Sequence, residues 1–272
     1  MSSGGGGRSS SPPTSRANLP GETRLSTSTG RSRPLAEAAP VRPCTQGAGA
    51  PLWTQARAIF LKDVRSELRN RSALNSILLF SLTATVVVGF AAGAVGVATS
   101  VKAALLWVVL FFAAFSGLAH VFIHEEETGT TTALRLTASP GAVLSGKLLF
   151  NLALLGAISL VVVPVYMAVM DVRPASPAGF AAAVIAGGFA LASAATIVGA
   201  IIAKARGKGA LYGALGFPII LPLLFMAVKT TRDTLQASTE PSVLAQGITG
   251  LVSFGVMIVA ASVLCFPVVW ED

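Results

Sequence analysis

Charge is what this chain has least of. Only 12% of its 272 residues are charged while 53% are hydrophobic, where soluble chains carry about 25% charged residues. Mean hydropathy is +0.72. A soluble domain is excluded, and a polytopic membrane protein fits. Cysteine is scarce too. Cys44 and Cys265 are the only two, without a CxxC or CxxCH arrangement, so no zinc site, redox pair or covalent haem attachment is supported. Histidine is limited to His120 and His124. No H-E-x-x-H motif or Ser-His-Asp ordering accompanies them, which removes the common hydrolase chemistries.

The net charge is +8, with six Arg against two Glu in the first fifty residues and fourteen Lys/Arg against ten acids in the remainder. Such a balance can signal nucleic acid. Here the cations cluster at the ends of apolar runs, where they act as topology signals.

Residues 1–50 are rich in Gly, Ser, Pro, Thr and Arg. They cannot bury enough apolar surface to offset their ordering entropy, so a disordered tail is predicted. The same composition fits an organellar transit peptide; the absence of an apolar h-region excludes a secretory signal. Residues 51–272 form the second unit, a membrane domain. It opens with a stripe of Leu52, Trp53, Ala56, Ile59, Phe60, Val64 and Leu68 at helical spacing, with Arg57, Lys62, Arg65, Arg69 and Arg71 opposite. The pattern predicts an interfacial amphipathic helix over 52–71, apolar side in the lipid boundary and cations at the headgroups.

Six apolar runs follow, over roughly 74–98, 103–123, 148–170, 178–203, 210–228 and 247–269. Each suits a helix crossing a ~30 Å hydrocarbon core. The lead-in helix and alternate loops hold ten Lys/Arg, and the opposite loops four (Lys102, Arg173, Lys229, Arg232). Both termini and the long 122–147 loop are therefore expected in the cytoplasm. No Asp, Glu, Lys or Arg falls within the runs as bounded here, which argues against an ion-coupled carrier or a voltage sensor. Gly89-x-x-x-Gly93 and Gly209-x-x-x-Gly213 allow close helix approach. Pro164, Pro218, Pro222 and Pro267 each free a carbonyl within a span; Pro218 and Pro222, one turn apart, make the strongest candidate hinge.

The polar stretch Phe122–Lys147 holds the fragments that resemble chemistry. Gly141-x-x-x-x-Gly146-Lys147 has the start of a phosphate-binding Walker A loop. It lacks the magnesium-binding Ser/Thr, since Leu148 follows, and no strand precedes it. It is expected to be a loop-to-helix junction with Lys147 marking the interface. His120 and His124, one turn apart with Glu127 near, are an incomplete metal or haem ligand set at a membrane edge.

The stretch also carries a family pattern. Phe122-x-x-Glu125-x-Glu127-x-Gly129-Thr130, Ala133-Leu134-x-Leu136-x-x-Ser139-Pro140 and Gly146-Lys147 resemble the coupling segment of ABC-type exporter permeases. Phe60-Leu-Lys-Asp-Val-Arg-Ser-Glu-Leu-Arg69 looks like an elbow helix. Lys204-Ala-Arg-Gly-Lys-Gly209 and Gly216-Phe-Pro-Ile-Ile-Leu-Pro-Leu-Leu224 are similar to the fifth-span region of the CcmB family, the haem exporter protein B of cytochrome c maturation. The resemblance covers nearly everything after the first fifty residues.

It implies an all-α membrane protein of six transmembrane helices behind an elbow helix, in the bacterial inner membrane. It also implies a non-catalytic permease working with a CcmA-type ATPase that holds the ATP, with CcmC- and CcmD-type membrane subunits, and indirectly with the haem chaperone CcmE. Haem would be a transported or partner-held cofactor. Glu125, Glu127, Gly129, Thr130, Leu134, Leu136 and Pro140 would form the ATPase-coupling element. A short helix over Thr130–Leu136 would project from the membrane, with Gly129 permitting its turn and Pro140 ending it. Acids at its amino terminus are electrostatically favourable. Export of another substrate, such as a drug or lipid, by the same architecture is the alternative. The short polar Lys229–Ser242 connection favours CcmB.

Overall fold

The computed structural model describes residues 51–69, 72–93, 96–127, 139–204 and 209–271. These contain seven helices: α1 (Leu52–Arg69), α2 (Ser72–Gly93), α3 (Thr99–Glu127), α4 (Pro140–Val169), α5 (Pro177–Lys204), α6 (Gly209–Leu235) and α7 (Pro241–Glu271). Among the described residues, five stretches are long and apolar enough to cross a membrane: Leu74–Ala92, Thr99–Ser116, Pro140–Val169, Pro177–Ile201 and Pro241–Phe266. The chain is thus an all-α, multi-pass membrane protein. The sixth expected run, 210–228, falls in α6, where the side chains of residues 209–217 lie outside those described.

Helix starts follow local chemistry. α4, α5 and α7 each begin with proline, whose fixed φ and missing N–H suit the first helical position. Before α5, Ser176 Oγ accepts the Gly179 N–H at 3.2 Å, a normal amino-terminal cap. The prolines also correct the third span. It starts at Pro140 rather than 148, because a short polar stretch ahead of an apolar run can still be helical when its side chains are satisfied elsewhere.

α5 is the axis of the bundle. Its spanning window is 72% buried, against 22–33% for the other four, and every residue from Ala190 to Ala200 is buried. Its sequence explains the position. Ala190, Ala192, Ala194, Ala195 and Ala200 present little bulk, and Gly187 leaves room for the Trp107 ring of α3, where an added Cβ would lie 2.2 Å from the ring. Gly255 of α7 approaches Phe189 and the Ala190 backbone in the same way. Small residues allow this closeness in a setting where lipid supplies no hydrophobic drive between helices. Gly89 is buried against Val169 of α4, in keeping with a packing role for its motif.

Outward, the bundle exposes Phe80, Val87 and Phe90 on α2, Leu160 on α4, Ile185 on α5, Phe225 on α6 and Leu264 on α7. So much exposed apolar surface is a liability in water and the normal condition in lipid.

Polar bonds tie one end together. Tyr166 OH donates to the Lys102 carbonyl at 2.7 Å, and Lys102 Nζ donates to the Met170 carbonyl at 2.8 Å. Ser176 N–H donates to the Thr234 carbonyl at 3.2 Å. These bonds join the start of α3 to the end of α4, and the start of α5 to the end of α6. The start of α4 is at the other end of that helix, and α1 is there.

Candidate functional site

α1 lies across the first turns of α4. The helix period sets Ala56, Ile59 and Asp63 on one side, and all three are buried. Gly146 makes the crossing possible. A Cβ there would stand 2.8 Å from Ile59 Cγ2 and 3.0 Å from the Ala56 carbonyl oxygen, so only glycine lets the two helices approach this closely. Ile59, Ala142, Val143 and Leu144 join Ala195, Ala200 and Phe266 in a core cluster separate from the main one.

Two polar contacts flank the crossing. At the loop side, the Ser139 N–H and hydroxyl both donate to Gln55 Oε1, at 3.2 and 3.4 Å. Ser139 is the residue before α4, in the extended conformation expected ahead of proline (φ −71°, ψ 148°). It makes no side-chain cap to its own helix, unlike Ser176, because its hydroxyl is committed to α1. Deeper in, Lys147 Nζ lies 3.6 Å from Asp63 Oδ2, and Lys62 Nζ lies 3.1 Å from Asp63 Oδ1. Lys147 is 3% and Asp63 6% exposed.

Two expectations are corrected here. Gly141–Lys147 is not a loop-to-helix junction; it is already helix, and Gly146 is the crossing point of α1. Lys147 does not turn outward either: it is a buried cation within the apolar Pro140–Val169 helix, which begins ahead of the expected 148–170 run and so includes it. A buried charge persists where it is paired, and Asp63 supplies the partner. A signal for it exists in the sequence: Asp63 follows Ala56 and Ile59 on the buried side of an amphipathic helix, where an acid needs a cation.

The expected coupling residues fall as follows. Glu125 and Glu127 are on the last turn of α3, with side chains outside the described residues. Gly129, Thr130, Leu134 and Leu136, and the expected 130–136 helix, lie outside the described residues. Pro140 is the first residue of α4. Pro218 and Pro222 are on the exposed surface of α6, which runs as one helix through both. His120 and His124 are on α3, their side chains outside the described set. Among the described residues no group of three His, Cys, Asp or Glu is placed to hold a metal.

Replacing Gln55 with Ala removes the acceptor for both Ser139 donors. The expected cost is about 1 kcal/mol, read as a fall of about 2–4 °C in the thermal unfolding midpoint.

A bundle of long apolar helices, with an amphipathic helix docked on the head of one span, defines a membrane protein of the permease-like class. The chain belongs to the CcmB family, whose model (CcmB protein) matches residues 54–268. It is therefore an ABC-type permease subunit of cytochrome c maturation and haem export, non-catalytic as members of that family are. No curated protein and no solved structure matches it.

Proposed function

We propose that the polar connection between α3 and α4, within the expected 122–147 loop and ending where α4 begins at Pro140, is the cytoplasmic coupling segment through which a separate CcmA-type ATPase moves this permease. CcmC- and CcmD-type membrane subunits complete the complex, whose ATP-driven step frees a haem-loaded CcmE-type chaperone or exports haem. Six spans follow the elbow helix α1 in the bacterial inner membrane, with both termini cytoplasmic. ATP sits on the partner subunit, and haem is cargo or partner-held.

The observation that carries this reading is the bonding of the segment's exit to α1. Ser139 is held by Gln55, and α1 is held on α4 by Gly146 and by the Asp63–Lys147 pair. Force reaching residues 128–138 arrives at Ser139 and Pro140 and moves α1 and α4 as one lever. At the far end α4 is tied through Tyr166 and Met170 to Lys102 of α3, which supplies a fixed end for rocking. Glu125 and Glu127 meet basic groups of the ATPase. Gly129, Thr130, Leu134, Leu136 and Pro140 shape the contact. Pro218 and Pro222 are the hinge at which α6 flexes.

Joint replacement of Glu125 and Glu127 by Ala tests the proposal. Loss of the charge contacts is expected to weaken ATPase co-purification at least about tenfold, with cytochrome c maturation falling in parallel. Unchanged co-purification and maturation sink the coupling role.

A further inference from the structure

α1 turns three faces to three surroundings. Ala56, Ile59 and Asp63 are buried on the side of α4, and Phe60 and Val64 pack against the main core. On the remaining face Arg57, Leu61, Arg65 and Leu68 succeed one another at three- and four-residue steps. All are exposed, with Trp53 and Arg69 exposed beside them.

This face contains cations and apolar groups but no acid. The two acids of α1 are engaged elsewhere. Asp63 is buried with Lys147, and Glu67 accepts the Leu74 N–H at 2.9 Å. None of Arg57, Arg65 and Arg69 has an acidic partner among the described residues. Arg65 and Arg69 are one helical turn apart, a like-charge spacing that destabilises an isolated helix. Their repulsion is relieved by anions, and the interleaved Leu61 and Leu68 call for an apolar phase beside those anions. α1 also lies against the first turns of a membrane-spanning helix, which puts its face at the level where headgroups meet acyl chains. There guanidinium groups take phosphate in paired hydrogen bonds, and Trp is favoured.

We propose that the Arg57–Leu61–Arg65–Leu68 face, with Arg69, is an anionic-phospholipid site, and that phosphodiester groups bound there hold α1 down on α4. The site stands independently of the ATPase reading. It makes the α1–α4 junction, and with it the attachment of Ser139, responsive to the acidity of the surrounding leaflet.

The test uses the full chain in nanodiscs of phosphatidylcholine, with and without added phosphatidylglycerol. Phosphatidylglycerol is expected to raise the thermal unfolding midpoint by at least about 4 °C, and high salt to remove most of that gain. The triple variant Arg57→Gln, Arg65→Gln, Arg69→Gln is expected to unfold as the parent does in phosphatidylcholine and to gain nothing from the anionic lipid. Equal parent midpoints in the two lipids, or a full gain in the triple variant, overturns the proposal. So does a triple variant that keeps the lipid gain while losing co-purification of the ATPase subunit, which would make the face a protein-docking surface.

Discussion

Replacing Asp63 by alanine is expected to cost about 3–5 kcal/mol of stability and to loosen α1 from α4. The carboxylate is 6% exposed and stands between Lys62 Nζ at 3.1 Å and Lys147 Nζ at 3.6 Å. Lys62 is at the surface and regains water when Asp63 is lost. Lys147, 3% exposed within a membrane-spanning helix, does not. The cost is that of a buried ammonium losing the Asp63 carboxylate, more than the net worth of the pair. Lys147→Met is expected to cost less than Asp63→Ala, since Asp63 keeps Lys62. The double variant Asp63→Leu with Lys147→Met, which removes both charges and keeps apolar volume, should return to within about 1–2 kcal/mol of the parent. Unfolding in detergent, with limited proteolysis at α1, measures all three. Neutral single variants, or a double variant as damaged as Asp63→Ala, would contradict the pairing.

Trp107→Ala is expected to be comparably severe, at about 3–5 kcal/mol. The ring is fully buried, and its Nε1–H donates to Thr231 Oγ1 at 2.8 Å. It also fills the space that Gly187 leaves open on α5, so its removal hollows the contact between α3, α5 and α6. Trp107→Phe separates the contributions. It retains much of the volume and loses the hydrogen bond, which within a membrane is worth about 0.6–2 kcal/mol. Equal losses for the two variants would place the weight on the bond rather than the packing.

The helices were legible in the sequence because their signals are local. Alternation of apolar and basic residues marks α1, and apolar length marks the spans, but Pro140, expected to end a short helix, instead begins α4. The pairing of those helices was not. Gln55 and Ser139 are 84 residues apart and Trp107 and Thr231 are 124 apart, and hydropathy carries no information about which faces meet. Lys147 shows the limit most clearly. At the edge of an apolar run a lysine has the same pattern whether it reaches headgroups or turns inward to an acid. Only the crossing at Gly146, which brings α1 over it, decides between the two. The Gly141–Lys147 fragment misleads for a related reason: glycines spaced for wrapping phosphate and glycines spaced for helix approach look alike until the backbone is seen to be helical.

Coupling through the lever requires α1 and α4 to act as one body, and a cross-link between them tests it most directly. The Cβ of Ile59 and a Cβ built at Gly146 are 2.9 Å apart. A disulfide needs about 3.8 Å, so a small relaxation of the crossing admits one between Ile59→Cys and Gly146→Cys, with Cys44 and Cys265 replaced by serine. The measurement is cytochrome c maturation by the cross-linked protein, with ATPase co-purification as control. Maturation equal in the oxidised and reduced forms is the predicted result. Maturation lost on cross-linking and recovered on reduction would show that α1 must part from α4, and would contradict the lever.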